Sequence, residues 1–80
     1  MKLARATSRC ECQARLVAEV TESGTVVRGL ASAAGREQLA PATTVSRGAA
    51  QLDVGWLCPF CGRNTLRSFA VASLVFADAS

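Results

Sequence analysis

Apolar and polar residues alternate along two stretches of the chain, and this alternation predicts β-strands. Apolar side chains occupy every second position of residues 14–20, which is the period-two pattern of a half-buried strand. Residues 21–24, Thr-Glu-Ser-Gly, are typical of a turn, so residues 25–30 are predicted to return as the second strand of a hairpin. Residues 52–56 alternate in the same way and predict a third strand that leads into Cys58.

Two further segments have weaker patterns. Residues 31–47 consist mainly of small and polar residues, and Pro41 would end a short helix around residues 36–39, so this segment is predicted to be a long loop. Residues 65–76 combine large apolar side chains with alanines; we favour a strand, and a helix is the alternative. The chain is therefore predicted to be a mostly β domain of antiparallel strands with one long loop.

The hydrophobic core available to this chain is small. A domain of 80 residues buries only about 60–65% of the surface of its unfolded chain. Half of the residues are apolar, but most of these are Ala and Val, with only three Phe and one Trp. A further source of stabilisation is therefore expected.

The four cysteines, in a chain without His, supply either two disulfides or one four-cysteine metal site. Charged and polar residues interrupt residues 2–9, so no signal-peptide core is expected there. The longest uncharged apolar stretch, residues 68–77, is about half a membrane span. A cytoplasmic location is therefore expected, where thiols stay reduced and a metal site is favoured. The acid-free, Arg-containing start also suits a transit peptide, which is the alternative.

The segment Cys58-Pro59-Phe60-Cys61-Gly62 has the form of a metal-binding loop. Two cysteines three positions apart place both sulfurs on one tight loop, at adjacent corners of a tetrahedron about 2.3 Å from a zinc ion. Pro59 restricts this loop, and Gly62 permits the positive φ that turns backbone N–H groups toward the thiolates. A redox pair is the alternative for an isolated Cys-x-x-Cys.

A second close pair, Cys10 and Cys12, completes the number of ligands that a structural metal needs. The two pairs together resemble the zinc ribbons, in which two cysteine loops at the ends of β-hairpins clasp one zinc. The resemblance implies a small zinc-ribbon-like domain. The first pair departs from the family's Cys-x-x-Cys form, and residues 13–57 separate the pairs by more than the roughly 15–20 residues of a compact site. The predicted site holds one Zn²⁺ per chain through Cys10, Cys12, Cys58 and Cys61.

Two other families share part of this pattern. A Cys-x-Cys pair followed by a Cys-x-x-Cys pair also resembles the metal site of redox-regulated chaperones of the heat-shock protein 33 type, which implies a thiol–zinc redox switch. Cys-x-x-Cys-Gly loops also resemble those of rubredoxins, which bind iron, but Glu11 in the first pair departs from that form. A structural zinc is the interpretation that we favour.

The charge pattern is mildly basic and suits a binding module. The formal charge is +3, and residues 1–9 are predicted to form a basic arm, with residues 10–80 as a single zinc-stabilised domain. Phe60 is expected to point outward from its loop, and Arg63 and Arg67 follow it, so these three residues are the candidates for partner binding. A protein partner within a larger assembly is favoured and nucleic acid is the alternative. Neither a membrane nor a small-molecule substrate is expected.

No catalytic group of residues stands out in the sequence. There is no His, and the acids lie without a nearby base or nucleophile. A metal bound by four thiolates has no open position for a substrate, so we predict that the protein is not an enzyme. Trp56, in its alternating strand, is expected to be a core residue; a stacking surface for nucleic acid or a partner is the alternative.

Overall fold

The computed structural model describes residues 2–78 and consists of two antiparallel β-sheets. One sheet has five strands in the order β4-β3-β2-β1-β8, and the other has three in the order β5-β6-β7. The strands are β1 (Lys2–Arg9), β2 (Arg15–Thr21), β3 (Val26–Ala33), β4 (Arg36–Leu39), β5 (Ala42–Arg47), β6 (Gln51–Leu57), β7 (Asn64–Ala70) and β8 (Ala77–Asp78), with one 3₁₀ turn at Val71–Ser73. This architecture confirms the predicted mostly β fold class. None of the helical segments described is long and apolar enough to cross a membrane.

The alternating stretches form strands because each has one apolar face to bury. In β2, Leu16, Ala18 and Val20 are completely buried, while the residues between them lie on the other face. The turn after β2 returns the chain as β3, which pairs with β2 in antiparallel register. The predicted hairpin is therefore confirmed, and so is the third strand, which is β6.

The core lies between the two sheets and is asymmetric. The five-stranded sheet contributes mainly alanines, together with Leu16 and Val20, and the three-stranded sheet contributes Leu52, Val54 and Trp56. Among the latter, Trp56 is only 1% exposed. Its indole Nε1–H donates a hydrogen bond of 3.1 Å to the backbone carbonyl of Val17, and its ring meets Phe69 edge to face at 6.1 Å between centroids. Trp56 is thus a core residue, as expected.

The structure differs from the sequence-based prediction at the chain's start. Residues 2–9, expected to be a basic arm, form β1, which pairs along its length with β2. The reason is that Ala4 and Ala6 alternate with charged and polar residues and are buried against the core. Because Ala4 and Ala6 are small, their alternation with Arg5, Thr7 and Arg9 gives only a weak apolar pattern in the sequence.

Residues 31–47, expected to be a loop, also form strands. They include the end of β3, all of β4 and β5, and a buried crossover at Ala40 that carries the chain from one sheet to the other. The Ala40 N–H donates to the carbonyl of Gly29, and the Leu57 N–H donates to that of Pro41, so the crossover is tied to both sheets. The side chains of β4 are all exposed, which is why no alternation marks it.

Residues 65–76, for which a strand was favoured, are a strand only in their first half. β7 ends at Ala70, and the 3₁₀ turn then leads toward β8. Phe69, Leu74 and Phe76 are half-buried and pack against the core, so the domain itself covers much of this apolar segment.

Candidate metal centre

The four cysteines lie on two loops that meet at one end of the molecule. Cys10 and Cys12 lie in the loop between β1 and β2, hereafter the first loop (residues 10–14). Cys58 and Cys61 lie in the loop between β6 and β7, the second loop (residues 58–63). The two hairpins belong to different sheets, so the sulfurs come together only because the sheets pack face to face.

The sulfur atoms form a compact group. All four Sγ atoms lie within 4.8 Å of one another. Two of the separations join the two loops: 3.4 Å between the Sγ atoms of Cys10 and Cys61, and 3.6 Å between those of Cys12 and Cys58. A tetrahedral ion with Zn–S bonds of about 2.3 Å needs sulfurs about 3.8 Å apart. The arrangement of these side chains therefore fits a four-thiolate metal ion, and no other such group of His, Cys, Asp or Glu occurs among residues 2–78.

Both loops use the same backbone device. In the first loop, the Cys10 N–H donates to the carbonyl of Ala14 at 2.9 Å; in the second, the Cys58 N–H donates to that of Arg63 at 2.9 Å. In each loop the residue after the second cysteine has a left-handed backbone, with φ of 77° at Gln13 and 75° at Gly62. The glycine predicted to need positive φ thus has it, and a glutamine takes the equivalent place in the first loop.

This equivalence gives a prediction for a matched pair of variants. Left-handed backbone is unfavourable by roughly 1–2 kcal/mol for residues with a Cβ. Gly62→Ala should therefore lower the free energy of unfolding by about that amount, since a Cβ at Gly62 would meet no other atom within 4 Å. Gln13→Gly should leave it unchanged or raise it by up to about 1 kcal/mol, since it relieves the same strain. Urea unfolding of the two variants in the same metal buffer measures both effects, and equal destabilisation by both would contradict the equivalence.

The thiols of the metal-free cluster differ in acidity. The backbone N–H of Cys12, aided by hydrogen bonds from the neighbouring thiols, outweighs the effect of burial and lowers the pKa of the Cys10 thiol to about 6. The N–H of Arg63 also acts to lower the pKa of Cys61, but the Cys10 thiol and desolvation outweigh it and raise that pKa to about 12. One thiolate therefore forms readily, and further ionisation in the cluster is opposed until a cation compensates the charge.

The structure places the other candidate residues as follows. Phe60 is half-buried and packs against the core, so it is not the outward-pointing ring expected from its place in the loop. Arg63 forms an ion pair with Glu11, and Arg67 is exposed on β7. The predicted cluster of candidates around the second loop is therefore only partly available to a partner.

Glu11 is a site residue that the sequence argument did not identify. It lies between the first two cysteines and pairs with Arg63, which follows the last, so the ion pair joins the two loops beside the sulfurs. Both side chains are largely exposed, and exposed ion pairs contribute little to stability. The only sequence signal for this contact was the pair of opposite charges, one inside the first cysteine pair and one two residues after the second.

Comparison with known proteins identifies no relative: no family model matches the chain, and neither a curated protein nor a solved structure is significantly similar to it.

Proposed function

We propose that this protein is a structural-zinc module that binds a partner protein within a larger assembly. The observation that carries the proposal is that two hairpin loops, from different sheets, bring all four sulfurs within 4.8 Å of one another. Two of the sulfur-bearing residues, Cys10 and Cys58, are buried, and Cys12 and Cys61 are exposed. The site thus lies at the rim of the core, where an ion can enter from solvent.

Zinc is the metal that this set of ligands favours. Four thiolates in tetrahedral arrangement suit Zn²⁺ or iron, and structural zinc sites are closed in this way. With every position taken by sulfur, the bound ion has no place for water or substrate, so its role in this proposal is structural and the protein is not an enzyme.

The bound ion would hold the ends of the two sheets together. Apart from the crossover at Ala40, the sheets are joined by the small core, by hydrogen bonds from Trp56 to Val17 and from Thr44 to Gly24, and by the exposed ion pair of Arg63 with Glu11. A metal bridge between the two loops fixes the orientation of the sheets and hence of their outward faces. Those faces carry more large apolar side chains than a small soluble domain needs to expose, and this supports a binding role. They are Val27, Leu39, Val45, Leu57 and Leu66, and Val75 is exposed in the segment before β8.

Metal content tests the first half of this proposal. Native mass spectrometry of the purified protein should show one zinc per chain, and a chelator should remove it and unfold the domain. Structural zinc contributes on the order of 10–16 kcal/mol of apparent binding energy, more than the whole stability of a typical small domain. A metal-free protein with an unchanged cooperative melt would contradict the proposal. A thiolate-to-iron absorption band, with one iron per chain, would show that the bound metal is iron and not zinc.

A further inference from the structure

The outward-facing side of the five-stranded sheet, hereafter the outer face, carries an apolar row. The strand register places Thr7 opposite Val17, Val17 opposite Leu30 and Leu30 opposite Leu39. Directly paired residues project to the same side of a sheet, so these side chains form one line across β1, β2, β3 and β4, in which Val17, Leu30 and Leu39 are apolar and Thr7 is the polar residue at the β1 end. Val17 and Leu30 are half-buried, and Leu39 is 68% exposed. Within residues 2–78, packing against the rest of the domain does not account for an apolar side chain at this exposed position.

Arginines flank this apolar row on both sides. Two residues further along the strands in one direction, Arg9 lies opposite Arg15. Two residues in the other direction, Glu19 lies between Arg5 and Arg28. All four arginines are exposed.

None of these four guanidinium groups is in an ion pair. The pair between Arg63 and Glu11 is the only one within the described part of the chain. Arg9 and Arg15 are like charges on directly opposite residues, an arrangement that destabilises an isolated sheet. The fold therefore does not account for Arg9 and Arg15, whereas an acidic partner lying along the apolar row would. Arg5 and Arg28 are each opposite Glu19, and both are exposed to the same partner.

We propose that the outer face binds an acidic amphipathic α-helix, laid along the apolar row with its acids against the arginines on both sides. This inference rests on the proposed function and names the class of partner. Four strands about 4.8 Å apart make the row about 14 Å long, which is the rise of about nine or ten helical residues. The flanking rows lie about 7 Å to each side, within reach of acidic side chains on the two borders of the apolar stripe of a helix.

The outer face suits this partner better than nucleic acid. Glu19 and Glu37 project from the same face as the arginines and interrupt the continuous basic surface that a regular row of phosphates needs, whereas a helix can place uncharged residues opposite them. Base stacking is also unsupported, because Trp56 is buried and Phe60, Phe69 and Phe76 pack against the core. A second copy of this chain fits poorly too, because two outer faces would bring arginines against arginines.

Fluorescence anisotropy of zinc-loaded protein with a labelled peptide of about 18 residues tests the inference. The probe has leucines at helical i, i+3, i+4 and i+7 spacing with glutamates bordering them, and its counterpart has lysines in place of the glutamates. The acidic peptide should bind and the basic one should not. Arg9→Glu with Arg15→Glu should weaken binding about tenfold or more, since two attractions become repulsions. Leu39→Asp should weaken it by a similar factor, because the apolar row is interrupted.

The matched control is Arg36→Glu with Arg47→Glu, which changes the net charge equally but off the outer face. Arg36 is opposite Ala33, on the other side of the sheet, and Arg47 is on β5 of the three-stranded sheet. This control should keep most of the binding, apart from a small general charge effect. Equal losses in the control and in the Arg9 and Arg15 variant would overturn the inference, as would no binding of the acidic peptide by wild-type protein. Tighter binding of a 20-nucleotide single-stranded DNA, weakened by the same outer-face variant, would also overturn it in favour of nucleic acid.

Zinc content and thermal melting are measured on every sample, so that the two proposals fail separately. If zinc-loaded, folded protein does not bind the acidic peptide, the helix-binding inference is overturned and the structural-zinc proposal stands. Protein that folds without zinc and binds the peptide contradicts the structural zinc and supports the outer face as the binding surface. If the Arg9 and Arg15 variant melts early because it lies beside Cys10, Leu39→Asp, at an exposed position of the edge strand β4, decides the question.

Discussion

Cys12→Ser is expected to unfold the domain as completely as Cys58→Ser, although Cys12 is exposed and Cys58 is buried. If both residues bind the same ion, loss of either leaves three thiolates and sharply weakens the metal. Since metal binding contributes more free energy than the whole free energy of unfolding of a typical small domain, both variants should unfold. Circular dichroism melts of all four Cys→Ser variants, with zinc content measured on each, check this result.

The distribution of burial among the four cysteines provides the internal control. If the cysteines were merely core or surface residues, Cys10→Ser and Cys58→Ser would destabilise the fold and Cys12→Ser and Cys61→Ser would hardly affect it. If they are ligands, the four variants behave alike. Stability losses that follow burial instead of being uniform would refute a shared metal site.

Apart from the cysteine variants, Trp56→Ala should have the largest effect of any core substitution. It removes the largest completely buried side chain, its edge contact with Phe69, and the hydrogen bond to Val17 that joins the sheets. Truncation of a buried Trp typically lowers the free energy of unfolding by about 3–5 kcal/mol, which corresponds to a fall in Tm of more than about 10 °C in a domain of this size. Differential scanning calorimetry of the zinc-loaded protein measures the fall.

Trp56→Phe and Leu66→Ala complete this test. Trp56→Phe keeps an aromatic ring but loses the indole N–H, so it should destabilise the fold by only about 1–2 kcal/mol. Leu66 lies on the neighbouring strand, opposite Gly55, and is 65% exposed, so Leu66→Ala should leave Tm nearly unchanged. A Trp56→Ala protein as stable as Leu66→Ala would show that the sheets are held together by other contacts.

The parts of the fold that could be predicted from the sequence are those in which large apolar residues alternate. β2 and β6 have such residues on their buried faces, and the loop at Cys58 carries a proline, a glycine and a cysteine pair in a recognisable order. These are local signals, because each depends on residues within a few positions of one another. They suffice to predict β2 and β6 and to identify the candidate ligands.

The parts that could not be predicted depend on contacts distant in sequence. β4 and β5 are strands because β3 and β6 offer them edges to pair with, and their own side chains show no apolar alternation. Phe60 was expected to face solvent, and it packs on a core whose shape no local pattern reveals. The outer face likewise appears only when the registers of β1, β2, β3 and β4 are combined.

The division of the four cysteines between two distant hairpins also bears on the unfolded chain. Each hairpin loop alone offers a metal only two sulfurs, so an unfolded chain that used all four would have to close a ring from Cys12 to Cys58. Closing a ring of that size reduces the chain's conformational entropy by the equivalent of about 4 kcal/mol. The unfolded ensemble is thus a far poorer ligand than the native state, in which that ring is already closed. A metal at this site therefore binds the native state much more tightly than the unfolded ensemble. This difference in affinity is the thermodynamic condition for an ion that stabilises a fold.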